Sequence, residues 1–291
     1  MILKLIKRGI VSMLADTYYL NNGYPMPKVG LGVYKITEEE MEKAVNAALE
    51  SGYRAFDTAY FYKNEIALGN ALKKADIPRS DLFITSKIWN DYQGYDKTIE
   101  FFTKSIENLG TDYLDLFLIH WPCEADNLFI ETYKAMEKLY KEGRIRAIGV
   151  CNFKQHHLET LMAETEITPA VNQIEVHPYF SQHELQAYCD DNDIAVTAWM
   201  PLMRNQGLLD HRVITDIANR YGKTPAQVVL RWHLAHNRLI IPKSKTPERI
   251  KENYDIFDFT LELRDIAEID NLNRNDRQGK DPDKVRIGDL K

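Results

Sequence analysis

The sequence of 291 residues has little cysteine. Its three residues, Cys123, Cys151 and Cys189, include no C-x-x-C pair. That excludes a disulfide framework, argues against a zinc site or redox pair built on thiols, and fits a reducing compartment, the cytoplasm. It has no excess of positive charge either. Lys plus Arg is 37, Asp plus Glu is 43 and the net charge is −6, so no broad nucleic-acid or polyanion surface is expected. A hydrophobic fraction of 44%, a charged fraction of 27% and a mean hydropathy of −0.41 argue against both membrane spanning and global disorder. The G-x-S-x-G elbow and the H-E-x-x-H pair are missing, and Gly30-Leu-Gly32 lacks the third glycine of a dinucleotide fingerprint. The opening MILKLIKRGIVSML is basic and then briefly apolar, too short before Asp16 for a secretory signal. Residues 1–15 read as a disordered extension, or as sequence upstream of an alternative start at Met13. Residues 16–291 read as one domain.

What is present is an uninterrupted alternation. Asn22-Gly23, between strand-like runs, predicts an N-terminal hairpin. Strands are predicted at Val29–Tyr34, Arg54–Thr58, Leu82–Trp89, Tyr113–His120, Ile145–Val150, Ala170–Val176, Ile194–Trp199 and Leu239–Pro242. Helices fall between them: Thr37–Ser51, Asn64–Ala75, Lys97–Leu109, Phe129–Lys141, His157–Ala163, Gln182–Asp190, Val213–Tyr221 and Pro225–Ala235. Another starts near Pro247. In the first helix Thr37 and Glu40 form a capping-box pair, and Met41, Ala44, Val45 and Ala48 recur at helical spacing. A length prior of about 150 residues per domain suggests two domains, but an α/β barrel reaches this length as one. Eight strand–helix units predict an α/β fold, a single (β/α)8 TIM barrel with an N-terminal β-hairpin and extra C-terminal helices. A doubly wound open sheet is the alternative, and it would need its glycine fingerprint.

Polar residues interrupt the apolar runs at corresponding strand ends: Asp57, Lys87, His120, Cys151-Asn152, Gln173, Trp199 and Lys243-Ser244. In a barrel these ends share one face, where such enzymes carry their sites. Singly, Asp57 could cap a turn, Lys87 could be a solvated strand end and His120 a satisfied core histidine. Recurrence at matching positions favours a common site.

The text Gly30-Leu-Gly-Val-Tyr34, Phe56-Asp-Thr-Ala-Tyr-Phe-Tyr-Lys-Asn-Glu65, Ser86-Lys-Ile-Trp-Asn90 and Leu118-Ile-His-Trp-Pro122 resembles the aldo-keto reductases. So do Ile148-Gly-Val-Cys-Asn-Phe153, Val171-Asn-Gln-Ile-Glu-Val-His-Pro-Tyr179 and Ile241-Pro-Lys-Ser244 with Arg249-Ile-Lys-Glu-Asn253. The resemblance runs from about Tyr19 to the end of the sequence. Its short loops are similar to the bacterial 2,5-diketo-gluconate and glyoxal reductase branch. It implies an NADPH-dependent reductase of small aldehydes and ketones, dicarbonyls such as methylglyoxal or keto sugars among them. It also implies a monomer without a metal, membrane or nucleic-acid partner.

The resemblance assigns Tyr62 as general acid and Lys87 as the neighbour that lowers the phenol's pKa from its free value of about 10. Asp57 pairs with the lysine, and His120 orients the substrate oxygen. Asn152 and Gln173 match the carboxamide-binding pair. Cys151 stands where serine is usual, so a weak thiol donor is expected there, with Lys87 near enough to favour thiolate. An inert buried thiol is the alternative. Trp199 matches an aromatic ring that stacks on the nicotinamide. Met200 replaces a serine beside the pyrophosphate, Arg204 stands where a small polar residue is common, and Leu202 matches a backbone contact. Lys243, Ser244 and Arg249 match a clamp on the 2′-phosphate, and Asn253 an adenine contact. Tyr34, Trp89 and Trp121 match the apolar wall around the carbonyl.

Short loops after Pro122 and Leu202, and a charged tail beyond Asn273, predict an open pocket with broad acceptance. Competing functions are an NADPH-binding regulatory subunit with little turnover and a metal-assisted barrel enzyme. The pairs His156-His157 and His233/His236 are expected to have surface or packing roles rather than to hold a metal.

Overall fold

The computed structural model describes residues 16–289, so the expected extension over residues 1–15 lies outside the described residues. The hairpin forms from β1 (Thr17–Tyr19) and β2 (Pro25–Pro27), antiparallel across the Asn22-Gly23 turn. Eight further strands follow: β3 (Gly30–Gly32), β4 (Ala55–Asp57), β5 (Phe83–Ile88), β6 (Leu114–Ile119), β7 (Ile145–Cys151), β8 (Val171–Glu175), β9 (Ala195–Trp199) and β10 (Leu239–Ile240). Each pairs in parallel with its successor, in strict sequence order. Parallel bridges Val29–Ile240 and Gly32–Lys243 join the last strand to the first and close the barrel.

Ten α-helices accompany the strands among the described residues: α1 (Glu38–Ser51), α2 (Glu65–Lys74), α3 (Tyr95–Leu109), α4 (Phe129–Lys141), α5 (Gln155–Glu164), α6 (His183–Asp191), α7 (Arg212–Tyr221), α8 (Pro225–Ala235), α9 (Pro247–Tyr254) and α10 (Leu263–Asp270). The predicted capping pair is present at α1, where the Thr37 amide donates to Glu40 Oε2 at 3.3 Å. The helix buries the predicted stripe of Met41, Ala44, Val45 and Ala48. Helices α2 and α3 approach so closely that a Cβ on Gly69 would lie 2.4 Å from the Leu109 carbonyl oxygen, so only glycine fits there. Most predicted strand ends overshoot by one or two residues, whereas β7 extends one residue beyond its prediction, to Cys151.

Two apolar layers result. The larger lies between barrel and helices. The smaller fills the barrel with Ala55, Phe83, Leu116, Leu118, Ala147, Cys151, Val171 and Ala195, and Leu20 and Met26 of the hairpin plug its lower end. Tyr24 secures that plug by donating to Asp115 Oδ1 at 2.8 Å, and the buried Asp115 also accepts the Ile84 amide and pairs with Arg79. With the N-terminal end sealed, the C-terminal ends of the strands are left to form the site.

Candidate active site

Asp57 closes β4, Lys87 lies near the end of β5 and His120 directly follows β6. Parallel registry brings these ends to one rim, with Asp57 beside Thr85 and Lys87 beside Leu118. Lys87 is fully buried. Its Nζ donates to Asp57 Oδ1 at 2.5 Å and to the Thr58 carbonyl at 2.9 Å. The other Asp57 oxygen, Oδ2, accepts from Gln173 Nε2 at 2.8 Å. Burial alone would push the ammonium pKa down, but the Asp57 carboxylate carries it above its ordinary value, so Lys87 is a cation.

Tyr62 ends a 3-10 turn, Tyr60–Tyr62, just after β4. Lys87 Nζ lies 5.2 Å from the centroid of its ring. Burial raises the phenol pKa more than Lys87 lowers it, and Asp57 adds to the rise. The lysine lowers the phenol pKa as expected, but against a larger desolvation effect that the sequence did not reveal. Tyr62 is therefore a protonated donor. His120 faces it edge-on, ring centroids 5.7 Å apart. Burial, then the Lys87 charge, holds His120 well below the usual histidine pKa, so it is neutral, and its buried Nδ1 has no hydrogen-bond partner.

A second set of bonds continues from this core. Asn152, just after β7, adopts a left-handed φ of 63°, which asparagine tolerates better than most residues. Its Nδ2 donates to the His120 carbonyl at 2.9 Å and to Cys151 Sγ at 3.2 Å, and its Oδ1 accepts from Trp199 Nε1 at 2.9 Å. Cys151 Sγ donates in turn to Gln173 Oε1 at 3.8 Å. Of the two readings of Cys151, a reactive thiolate and an inert buried thiol, the structure favours the second. Burial raises its pKa more than Lys87 lowers it, and the side chain packs inside the barrel. Trp199, Asn152, Gln173, Asp57 and Lys87 thus form one connected network.

Sequence reasoning missed parts of the support. Thr58 Oγ1 donates to Asn64 Oδ1 at 2.9 Å, and Asn64 Nδ2 donates to the Val33 carbonyl at 2.8 Å, which fixes the loop that carries Tyr62. Phe61 stacks on Trp89 with centroids 3.8 Å apart. Of the expected pocket wall, Tyr34 lies 4.8 Å from Tyr62 between centroids, and Trp89 and Trp121 share one cluster with Cys123.

The tail is also corrected. Instead of leaving the mouth open, it folds back across it. The Arg274 and Asp276 amides donate to the Tyr179 carbonyl, and buried Glu175 accepts the Gln278 and Gly279 amides at 2.6 and 2.7 Å while pairing with His177 at 3.0 Å. A Cβ on Gly279 would lie 2.6 Å from Trp199 Cη2, so glycine is required for this close crossing. Further on, Val285 buries against Trp89, Trp121 and Cys123. The signal available in the sequence was Glu175, the one charged residue of its strand and buried at its end.

On the opposite side of the mouth, Ser244 Oγ accepts the Thr246 amide at 3.1 Å before α9. Lys243 and Arg249 are exposed and have no ion pair among the described residues, whereas Lys245 pairs with Glu40. Partial burial, and then the adjacent Lys245 charge, depress the Lys243 pKa. Asn253, one turn beyond Arg249, is buried. Met200 and Arg204 adopt left-handed backbone, φ 57° and 50°, on either side of Leu202. A phosphate-bearing nucleotide fits the open cations, and the amide pair Asn152 and Gln173 lies on the same rim.

Among known proteins, the pattern of the aldo/keto reductase family matches residues 28–274. Glyoxal reductase of Bacillus subtilis (strain 168) is 50% identical over 273 residues, covering 94% of this chain and 98% of that protein. Methylglyoxal reductase DkgA of Escherichia coli O157:H7 is 48% identical over 265 residues, covering 91% and 96%. The crystal structure of a Gox0644 point mutant in complex with NADPH superposes with a TM-score of 0.89 at 40% identity, covering 93% of this chain and 98% of that one.

Proposed function

Since the chain belongs to the aldo/keto reductase family, we propose that it is an NADPH-dependent reductase of small aldehydes and ketones, with dicarbonyls of the glyoxal and methylglyoxal type as its preferred class. The observation that carries this reading is the convergence of Tyr62, Lys87, Asp57 and His120 on one rim, with Tyr62 protonated and His120 neutral.

When bound, NADPH supplies a hydride. Lys243, Ser244 and Arg249 would hold its 2′-phosphate and Asn253 its adenine. Asn152, Gln173 and Trp199 would position its nicotinamide, and the backbone from Met200 to Leu202 its pyrophosphate. The chain itself handles the proton. His120, neutral and fixed through the Asn152 bond to its carbonyl, is a donor towards the substrate oxygen. The Tyr62 phenol gives its proton to that oxygen, and the Lys87 ammonium stabilises the phenolate left behind. Asp57 and the Thr58 carbonyl keep the ammonium in place. Tyr34, Trp89 and Trp121 exclude water from the reacting carbonyl.

An NADPH-binding regulatory subunit would not need the four groups assembled in this way. We place the enzyme in the cytoplasm as a monomer. No helix among the described residues is long and apolar enough to cross a membrane. The deciding experiment is NADPH oxidation against a carbonyl panel, with NADH in parallel. Turnover of small dicarbonyls supports the reductase; tight NADPH binding with no turnover across the panel supports the regulatory subunit.

A further inference from the structure

Outside the candidate active site, the fold gathers four potential metal ligands from three separate segments. Glu124 lies on the 3-10 turn Glu124–Asp126 after β6, His156 and His157 lie in the first turn of α5, and Asp283 lies on the 3-10 turn Pro282–Lys284 of the tail. One donor atom from each falls within 4.8 Å of the others. His156 Nε2 is 3.3 Å from Asp283 Oδ1 and 3.8 Å from Glu124 Oε2, and His157 Nε2 is 3.5 and 3.6 Å from the same two oxygens. Zinc bonds to nitrogen and oxygen of about 2.0–2.1 Å in a tetrahedron require donors about 3.3 Å apart. The His156 separations from Asp283 and Glu124 are at or somewhat above that spacing, and all the donor atoms lie within 4.8 Å of one another. Glu124, His156 and Asp283 are 40–48% exposed, so their side chains are free to close the remainder.

Two further observations point to a ligand. His157 is fully buried, yet its Nε2 has no hydrogen-bond partner, and it faces the cluster. Asp283 is already oriented as a metal carboxylate usually is: its Oδ2 accepts from Lys154 Nζ at 2.6 Å, which leaves Oδ1 facing the imidazoles.

We propose that this cluster is a site for a zinc-like divalent transition-metal ion that fastens the tail to the barrel. His156 Nε2, Glu124 Oε2 and Asp283 Oδ1 are the direct ligands, with water in the fourth position. His157 has a different part. Its Nδ1 accepts the Lys154 amide at 3.0 Å, so the neutral ring carries its proton on Nε2. Nε2–H then donates to a bound carboxylate or water, which supplies the partner it lacks. Imidazole with carboxylate suits zinc, and the two histidines expected to serve only packing or surface roles acquire a chemical one. The ion would act on the tail rather than on the carbonyl chemistry. Val285, two residues beyond Asp283, packs against Trp89 and Trp121.

The test titrates Zn²⁺ into EDTA-treated full-length protein by calorimetry, and follows Co²⁺ substitution by its visible absorption and tail anchoring by hydrogen exchange over residues 282–288. The expected result is one saturable site per chain, a tetrahedral cobalt spectrum and slower exchange in the tail. His156→Ala should weaken zinc binding by more than about 100-fold, and His157→Gln by the ~10- to 100-fold typical of outer-shell partners. His156 is half-exposed, so its variant should keep the wild-type circular dichroism and melting temperature without metal. Absence of a one-to-one site at micromolar zinc overturns the proposal. So does a site whose affinity His156→Ala leaves unchanged, the outcome expected if the thiols were the ligands.

Discussion

Gln173 donates to Asp57 across 116 residues of sequence, taking the carboxylate oxygen that Lys87 leaves free. The carboxylate is thus held on both sides, and the lysine's position depends on the glutamine. A hydrogen bond to a charged group contributes about 1.5–3 kcal/mol. Gln173→Leu should therefore lower kcat by ~10- to 100-fold through misplacement of Lys87. Because the lysine stabilises the phenolate, the alkaline limb of the pH–rate profile should move as well. A change in KM for NADPH with kcat and pH profile intact would confine Gln173 to cofactor binding.

Tyr62→Phe removes one oxygen and little volume. General acid catalysis is worth ~10²–10⁴-fold, so kcat should fall by at least the lower figure while NADPH quenching of tryptophan fluorescence persists. Near-normal turnover would remove Tyr62 from its role.

Arg249 and Lys243 carry positive charge that has no partner in the fold among the described residues. Arg249→Ala should weaken NADPH binding by ~10- to 100-fold and leave NADH almost unchanged, the pattern of a lost charge-assisted bond to the 2′-phosphate. Equal losses for both cofactors would contradict the clamp.

For Cys151, burial sets the expected behaviour. The neutral thiol inside the barrel should resist iodoacetamide, with or without NADPH, as the inert rather than the reactive of the two sequence readings requires. Mass spectrometry of the native protein decides this: rapid alkylation at Cys151 would falsify its assignment as inert.

His120 and His233 are buried and neutral, both held well below the ordinary histidine pKa by desolvation first and then by Lys87 or Arg238. In the unfolded chain each takes up a proton near pH ~6.5. Below that pH the unfolded state binds more protons than the folded one, so stability falls as pH falls, with a slope approaching about 2.7 kcal/mol per pH unit for the two together. The depressed carboxyls of Glu175 and Asp270 extend the loss to lower pH. Urea midpoints measured from pH 7.5 to 5 should decline, with the decline steepening below ~6.5. A flat profile would mean that these histidines accept protons in the folded state.

The elements most legible in the sequence were those specified by local rules. Thr37 and Glu40 located a helix start, and the Met41 to Ala48 spacing located its buried face, both of which depend on residues within a few positions. Helix α10 was covered only by the expectation of extra C-terminal helices and was given no range. Asp57, Lys87 and His120 were legible as repeated interruptions at strand ends, since barrel topology converts sequence position into a shared rim, whereas Tyr62, on a turn after β4, was legible only through the family resemblance. Their protonation was not. For Tyr62 and Cys151 the sequence showed the neighbouring lysine, whereas the larger effect is desolvation, which depends on every segment packed around them. The tail was misread for a related reason: its many charges suggest solvent, but Glu175, Lys154, Asp126 and Asp91 bind its backbone and side chains from distant loops.

The backbone clamp of Glu175 on Gln278 and Gly279 also bears on synthesis. The ten strands among the described residues and the closing bridge at Lys243 all precede residue 244, so the barrel can close while the tail is still inside the ribosome. The wall formed by Val285 is added afterwards, to a scaffold already complete. A growing chain therefore acquires its fold before its selectivity, and a ribosome stalled late in the message would display a closed barrel with an unfinished entrance.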